Sequence, residues 1–252
     1  MPTPCPPLFS PRAIKAPFAA TLAIVFFFAP STGAQTPAAP ASTLANAADS
    51  APAPGAALSG AALVKALRAG GLVVYFRHTA TDFSQTDSAS TGYSDCANQR
   101  LLSAQGRQDA EAIGKEIRRL ALPVAEVLAS PMCRTMDHAE RSFGKAAVSP
   151  RAALREAQAG PAATGSTGGA GGLNFGGSDY AELKTWMATA PAASGGSNVP
   201  GNRFIVGHGI PFRSVAGAPH LAEGEAAVLQ PEGRRWRVLA RLQVADWAQL
   251  PR

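Results

Sequence analysis

The sequence predicts an α/β fold: a mostly parallel central sheet flanked by helices on both faces. Three observations carry this. Leu72–Phe76 is an unbroken apolar run between Gly70-Gly71 and a polar segment, the pattern of a strand buried on both faces. Asn202–Gly207 reads as another strand, with Phe204-Ile205-Val206 apolar, and both strands lead to a histidine, His78 and His208. Between 103 and 120 an amphipathic helical pattern separates the first strand from a second apolar run, Ala125–Ala129, so a strand–helix–strand unit with a parallel crossover is expected.

In chain order, Ser59 is placed to cap a short helix with Leu63, Val64 and Leu67 on one face, which Gly70-Gly71 ends. The first strand follows, then a polar loop, 79–99, without readable periodicity. Ser103 has the character of an N-cap. The helix after it turns Ala110, Ile113, Ile117 and Leu120 inward and Arg107, Glu111, Lys115 and Arg118 outward, and Pro123 ends it. After Ala125–Ala129 a second helix is expected from Pro131, in its first turn, to about Phe143. Ser149–Glu156 reads as an edge strand or a loop. Gly160–Gly177 reads as a surface insertion, since no Gly-Lys-Ser/Thr follows to make a phosphate loop. A helix over Tyr180–Ala190, capped by Ser178 or Asp179, has Leu183, Trp186 and Met187 on its apolar side. The loop Gly195–Gly201 leads to the third strand, Asn202–Gly207. The chain closes with a hairpin, Ala226–Gln230 and Arg235–Leu242, turning at Pro231-Glu232-Gly233.

The amino-terminal part reads differently. Arg12 and Lys15 precede an apolar run, Ala16–Ala29, that is short for a bilayer span, and Ser31-Thr32-Gly33-Ala34 then suits a signal peptidase. Residues 1–34 are expected to be a signal peptide cleaved after Ala34, the alternative being an uncleaved anchor. Residues 35–57, rich in Ala, Pro and Ser with one charge at Asp49, read as a disordered linker. That leaves 58–252 as the folded domain. Either way the domain is exported, to the periplasm or beyond, with no stable membrane insertion after cleavage.

Removing 1–34 takes two basic residues and no acids from a formal charge of +6, leaving +4. So small an excess, carried by scattered arginines, does not call for nucleic acid as a partner and suits small anionic molecules better. Cys5 leaves with the signal. Cys96 and Cys133 remain, either as a disulfide favoured by an oxidising compartment or as two separate buried thiols.

Four segments in order carry the chemistry: Arg77-His78 at the end of the first strand; Ser130-Pro131-Met132-Cys133-Arg134-Thr135; Leu154-Arg155-Glu156; and Val206-Gly207-His208-Gly209. Together they resemble the histidine phosphatase superfamily, the phosphoglycerate mutase-like fold, in its branch 1 form, whose signature is a strand ending in Arg-His-Gly. This chain has Thr79 where that glycine stands. The resemblance implies a phosphomonoester hydrolase working through a phosphohistidine on a small phosphorylated substrate. His78 is then the nucleophile. Arg77 and Arg134 bind phosphate as planar, bidentate cations, and His208 donates a hydrogen bond to the same oxygens. Thr79 adds bulk but also a hydroxyl donor beside the phosphate. The proton for the leaving oxygen is expected from Glu156, with Asp82 as the other candidate, or from no carboxyl group if the substrate has a good leaving group. Neighbouring arginines should lower the pKa of His78. No metal-ligand spacing is present, so neither metal nor other cofactor is expected. His138 and His220 lie outside the motifs and read as structural. The rival expectation is a protein that binds phosphate esters or an envelope component in the same pocket without turnover.

Overall fold

The computed structural model describes residues 57–155, 180–192 and 200–252. The expected signal peptide, the linker up to residue 56, Glu156, the glycine-rich run, the caps Ser178 and Asp179, and most of the loop before residue 200 lie outside the described residues.

Among the described residues six strands form one sheet: β1 (Val73–Arg77), β2 (Val124–Ala129), β3 (Val148–Pro150), β4 (Asn202–Gly207), β5 (Ala226–Pro231) and β6 (Trp236–Leu242), in the order β3-β2-β4-β1-β5-β6. The first four are mutually parallel, and β5 and β6 extend the sheet antiparallel on the β1 side. The mostly parallel sheet is therefore as expected. Its order adds something the linear pattern hid: β1 and β2 are parallel but not neighbours, because β4 lies between them. The register Arg77↔Gly207 puts the carboxyl ends of β1 and β4 side by side, so the two histidines that follow them become neighbours.

Alternation along β1 shows why both faces are covered. Val74 and Phe76 pack with α1 (Gly60–Ala69), α2 (Ala104–Arg119), α3 (Cys133–Phe143) and α6 (Val244–Gln249), through Leu63, Leu67, Ile113, Ile117, Ala139 and Trp247. Val73 and Tyr75 pack on the other face with α4 (Ala181–Ala188) and α5 (Gly209–Ala216), through Leu183, Met187 and Phe212. Each such side chain, moved wholly out of water, contributes about 1.5–3 kcal/mol.

The helix boundaries show which local signals decide. Ser103 caps α2 as expected, its hydroxyl accepting from the Gly106 N–H at 3.0 Å. Ser59 occupies the N-cap of α1 but makes no side-chain cap bond. α3 starts at Cys133, so Pro131 precedes the helix instead of lying in its first turn, and the Cys133 N–H is taken by Gln99 Oε1 at 2.9 Å. Ser149–Glu156 resolves into β3 and a single 3-10 turn, Ala152–Leu154, as far as it is described. α5 and α6 are not legible beforehand. α6 has a capping box built on Gln243 and Asp246, and glutamine is outside the usual N-cap set.

Candidate active site

The site is assembled at the carboxyl edge of β1, β2 and β4, where parallel α/β sheets present their ligand-binding loops. His78 continues β1 and is clamped on both sides: its N–H donates to the Gly207 carbonyl at 3.0 Å, and its carbonyl accepts from the Gly224 N–H at 2.9 Å. His208 continues β4. Tyr75, from the middle of β1, reaches it with its hydroxyl, which donates to the His208 carbonyl at 2.8 Å and accepts from the His208 N–H at 3.1 Å. Gly207 leaves room for this, since a Cβ there would stand 2.2 Å from the Tyr75 oxygen.

The two imidazoles meet edge to face, with ring centroids 5.4 Å apart at 72°, and both are buried. Nδ1 of His78 lies 2.9 Å from the Thr79 carbonyl, which can only accept, so Nδ1 carries the proton. In the neutral ring the lone pair is then on Nε2. His208 Nε2 is 2.9 Å from the Ser130 hydroxyl, at the end of β2.

Burial is the main reason both rings are held well below the ordinary histidine value. For His78 the Thr79 carbonyl opposes this, while the Arg134 and Arg77 guanidinium groups and His138 add to it. For His208, His78 itself, Arg134, Arg100 and Arg77 act in the same direction as burial.

Arg134, in the first turn of α3, is almost wholly buried, and its Nη1 donates to Asp87 Oδ1 and Oδ2 at 3.1 and 3.0 Å. Arg77 donates to the Leu221 carbonyl at 2.9 Å and to Glu223 Oε1 at 3.5 Å. Glu223 in turn accepts from the Thr81 N–H and hydroxyl. Thr79 is buried, and its hydroxyl has no hydrogen-bond partner among the described residues. Cys96 and Cys133 form a disulfide, with Cα atoms 5.7 Å apart, which settles the open alternative and ties the 79–99 segment to the start of α3.

Residues 73–168 match the sequence model of the histidine phosphatase superfamily (branch 1). The matched segment is similar to that superfamily and includes Arg77, His78 and Arg134. No curated protein matches it. Similar solved structures include the protein histidine phosphatase SixA complexed with tungstate, 12% identical, covering 69% of this chain and 98% of its own, with a TM-score of 0.45. A mutant phosphoserine phosphatase from Entamoeba histolytica in complex with phosphoserine is 13% identical, with 69% and 98% covered and a TM-score of 0.44. A mycobacterial hydrolase is 17% identical, with 67% and 96% covered and a TM-score of 0.47.

In this chain Arg77, His78, Arg134 and His208 come together, and Thr79 lies beside them. Asp82 lies in an exposed turn with its carboxylate engaged. The carboxylate accepts from the N–H and hydroxyl of Ser84, and those bonds lower its pKa, which keeps it ionised. Glu156 lies outside the described residues. Asp87, Glu223 and Arg100, all among the site's charged groups, were not singled out by sequence. Asp87 and Arg100 sit in or beside an aperiodic loop, and Glu223 begins an unremarkable turn, so no spacing marks them. Among the described residues no cluster of His, Cys, Asp or Glu could hold a metal ion, and no helix is long and apolar enough to cross a membrane.

Proposed function

We propose that this phosphatase hydrolyses small phosphate monoesters outside the cytoplasm, without a metal, through a phosphohistidine at Nε2 of His78. The observation that carries the reading is the bond from Nδ1 to the Thr79 carbonyl, which leaves Nε2 as the lone-pair nitrogen of a buried, neutral ring facing His208.

In the first step the Nε2 lone pair attacks phosphorus and the ester P–O bond breaks, its electron pair leaving on the alkoxide oxygen, which takes a proton. Arg77 and Arg134 spread the phosphoryl charge, and His208 and the Thr79 hydroxyl donate to its oxygens. In the second step water attacks phosphorus as the carboxylate that gave up its proton in the first step takes one from the water, the P–N bond breaks, and the electron pair returns to Nε2 as phosphate departs. Throughout, Nδ1–H stays on the Thr79 carbonyl, so the phosphoimidazolium is held by a fixed acceptor. Glu156 is the proposed donor to the leaving oxygen. An exported setting is supported by the Cys96–Cys133 bridge and by the short apolar run after Arg12 and Lys15.

The rival, binding without turnover, draws on Asp87, whose carboxylate already occupies Arg134. The test is to mix the protein with a phosphorus-labelled ester, such as labelled para-nitrophenyl phosphate, in EDTA and quench it with base. A base-stable, acid-labile label on the peptide holding His78 supports the hydrolase. Label absent from it, with phosphate still bound tightly, establishes the binder.

A further inference from the structure

Three arginines surround the two histidines, and they are not equivalent. Arg77 is paired with Glu223 and Arg134 with Asp87. Arg100 has no carboxylate partner among the described residues, and its Nε is buried without a hydrogen-bond acceptor. A buried guanidinium N–H is costly to leave unmade, and an uncompensated cation at a ligand site calls for an anion.

The backbone of Arg100 is nonetheless fixed. Its N–H donates to Asp87 Oδ1 at 2.8 Å, and its carbonyl accepts from Arg134 Nη1 at 3.5 Å, so it is held directly against the phosphate-binding arginine. The guanidinium lies 4.9 Å from the ring centroid of Phe83, a large apolar residue that is 70% exposed. This cation–aromatic contact orients the planar group on a partly exposed residue beside the exposed Phe83, whereas His78, His208 and Arg134 are buried. Its charge nevertheless reaches His208, adding to the lowering of that ring's pKa.

A phosphoryl group has three non-bridging oxygens, and Arg77, Arg134, His208 and Thr79 already supply donors for them. We propose that Arg100 is a substrate-selecting residue whose guanidinium binds a second anionic group, a carboxylate or another phosphate, carried by the substrate beyond the phosphoryl being transferred. The inference rests on the hydrolase reading for its kinetic form only. It narrows the substrate class from any monoester to one with at least two anionic groups, placed so that one lies over His78 while the other reaches Arg100.

The test compares matched esters: glycerol 3-phosphate against 3-phosphoglycerate for a carboxylate, and propyl phosphate against propane-1,3-diyl bisphosphate for a phosphate. Wild type should favour the doubly anionic member of at least one pair, and the preferred pair identifies the second group. Arg100→Met should lower kcat/KM at least tenfold more for that member than for its partner, through KM and not kcat, and Arg100→Lys should restore part of the difference. Equal losses on both members overturn the proposal, as does a wild type indifferent within both pairs. Should wild type turn over none of them, calorimetric binding of the same four compounds decides. Tighter binding of a doubly anionic member, lost in Arg100→Met, upholds Arg100 while the hydrolase reading fails, and indistinguishable affinities overturn it.

Discussion

The two edges of the one sheet treat their buried polar groups in opposite ways. At the amino edge, Asn202 is buried and has its groups met: Nδ2 donates to the carbonyls of Leu67 and Pro123 at 2.7 and 3.1 Å, and Oδ1 accepts from the Leu72 N–H at 3.1 Å. Arg203 beside it donates to Glu126 and to the carbonyls of Trp186 and Thr189. At the carboxyl edge the Thr79 hydroxyl and the Arg100 Nε are buried without partners among the described residues, and two histidines are held neutral side by side. The amino edge therefore has the satisfied pattern of a stabilising cluster, whereas the donors left unmet at the carboxyl edge cost stability.

The largest test of this division removes the proposed nucleophile. His78→Ala should lower kcat by roughly a thousandfold or more, equivalent to about 4 kcal/mol of transition-state stabilisation, while the melting temperature shifts by only a few degrees. Collapse of the fold in this variant would show that the carboxyl edge is structural after all.

Next is the covalent tie. Replacing both cysteines by serine, Cys96→Ser with Cys133→Ser, should cost about 3–4 kcal/mol in urea unfolding for a sequence separation of 37 residues. It should also raise KM, because Asp87, Gln99 and Arg134 lose a common anchor.

At the amino edge, Asn202→Leu leaves the Leu72 N–H buried without its acceptor and should cost about 2–4 kcal/mol. In the fraction that remains folded, kinetic constants should match wild type. A changed KM there would break the comparison.

Acid stability gives the smallest effect. His138 is buried against the Phe76 ring, with neither ring nitrogen hydrogen-bonded among the described residues, and burial lowers its pKa from 6.5 to about 3. Between those values the unfolded chain binds a proton that the native state refuses. Stability thus falls as pH drops below 6.5, by about 1.4 kcal/mol per pH unit from this residue alone. His78 and His208 shift in the same direction and add to the slope. His138→Leu should flatten the pH dependence of the urea midpoint between pH 6.5 and 5, and an unchanged slope would assign the titration to the other two rings. For activity, the same lowering keeps Nε2 of His78 free of a proton well into the acid range, so the acid limb of kcat/KM should lie below pH 6.5.

Much of the floor of the site was legible because it is written in strand endings. Arg77-His78 and His208 follow apolar runs that periodicity identifies, and Arg134 stands at the start of an amphipathic helix. What periodicity could not supply was strand order. That β4 inserts between β1 and β2 depends on pairing across the chain, and it is what makes the two histidines neighbours. The rim was illegible for another reason. Residues 79–100 are held by individual bonds, such as Gln99 Nε2 to the carbonyls of Gly92 and Tyr93, and Asp87 to the Arg100 N–H, and such bonds impose no repeat on the sequence. The Tyr75 hydroxyl was hidden differently, inside a run read only as apolar, although it spans two strands to hold His208.

The bridge between Cys96 and Cys133 closes a ring of chain that contains all of α2 and β2. A protease that cuts once anywhere within that ring cannot separate the fragment bearing His78 from the one bearing Arg134. The nicked protein should migrate as a single band without thiol and as two with it.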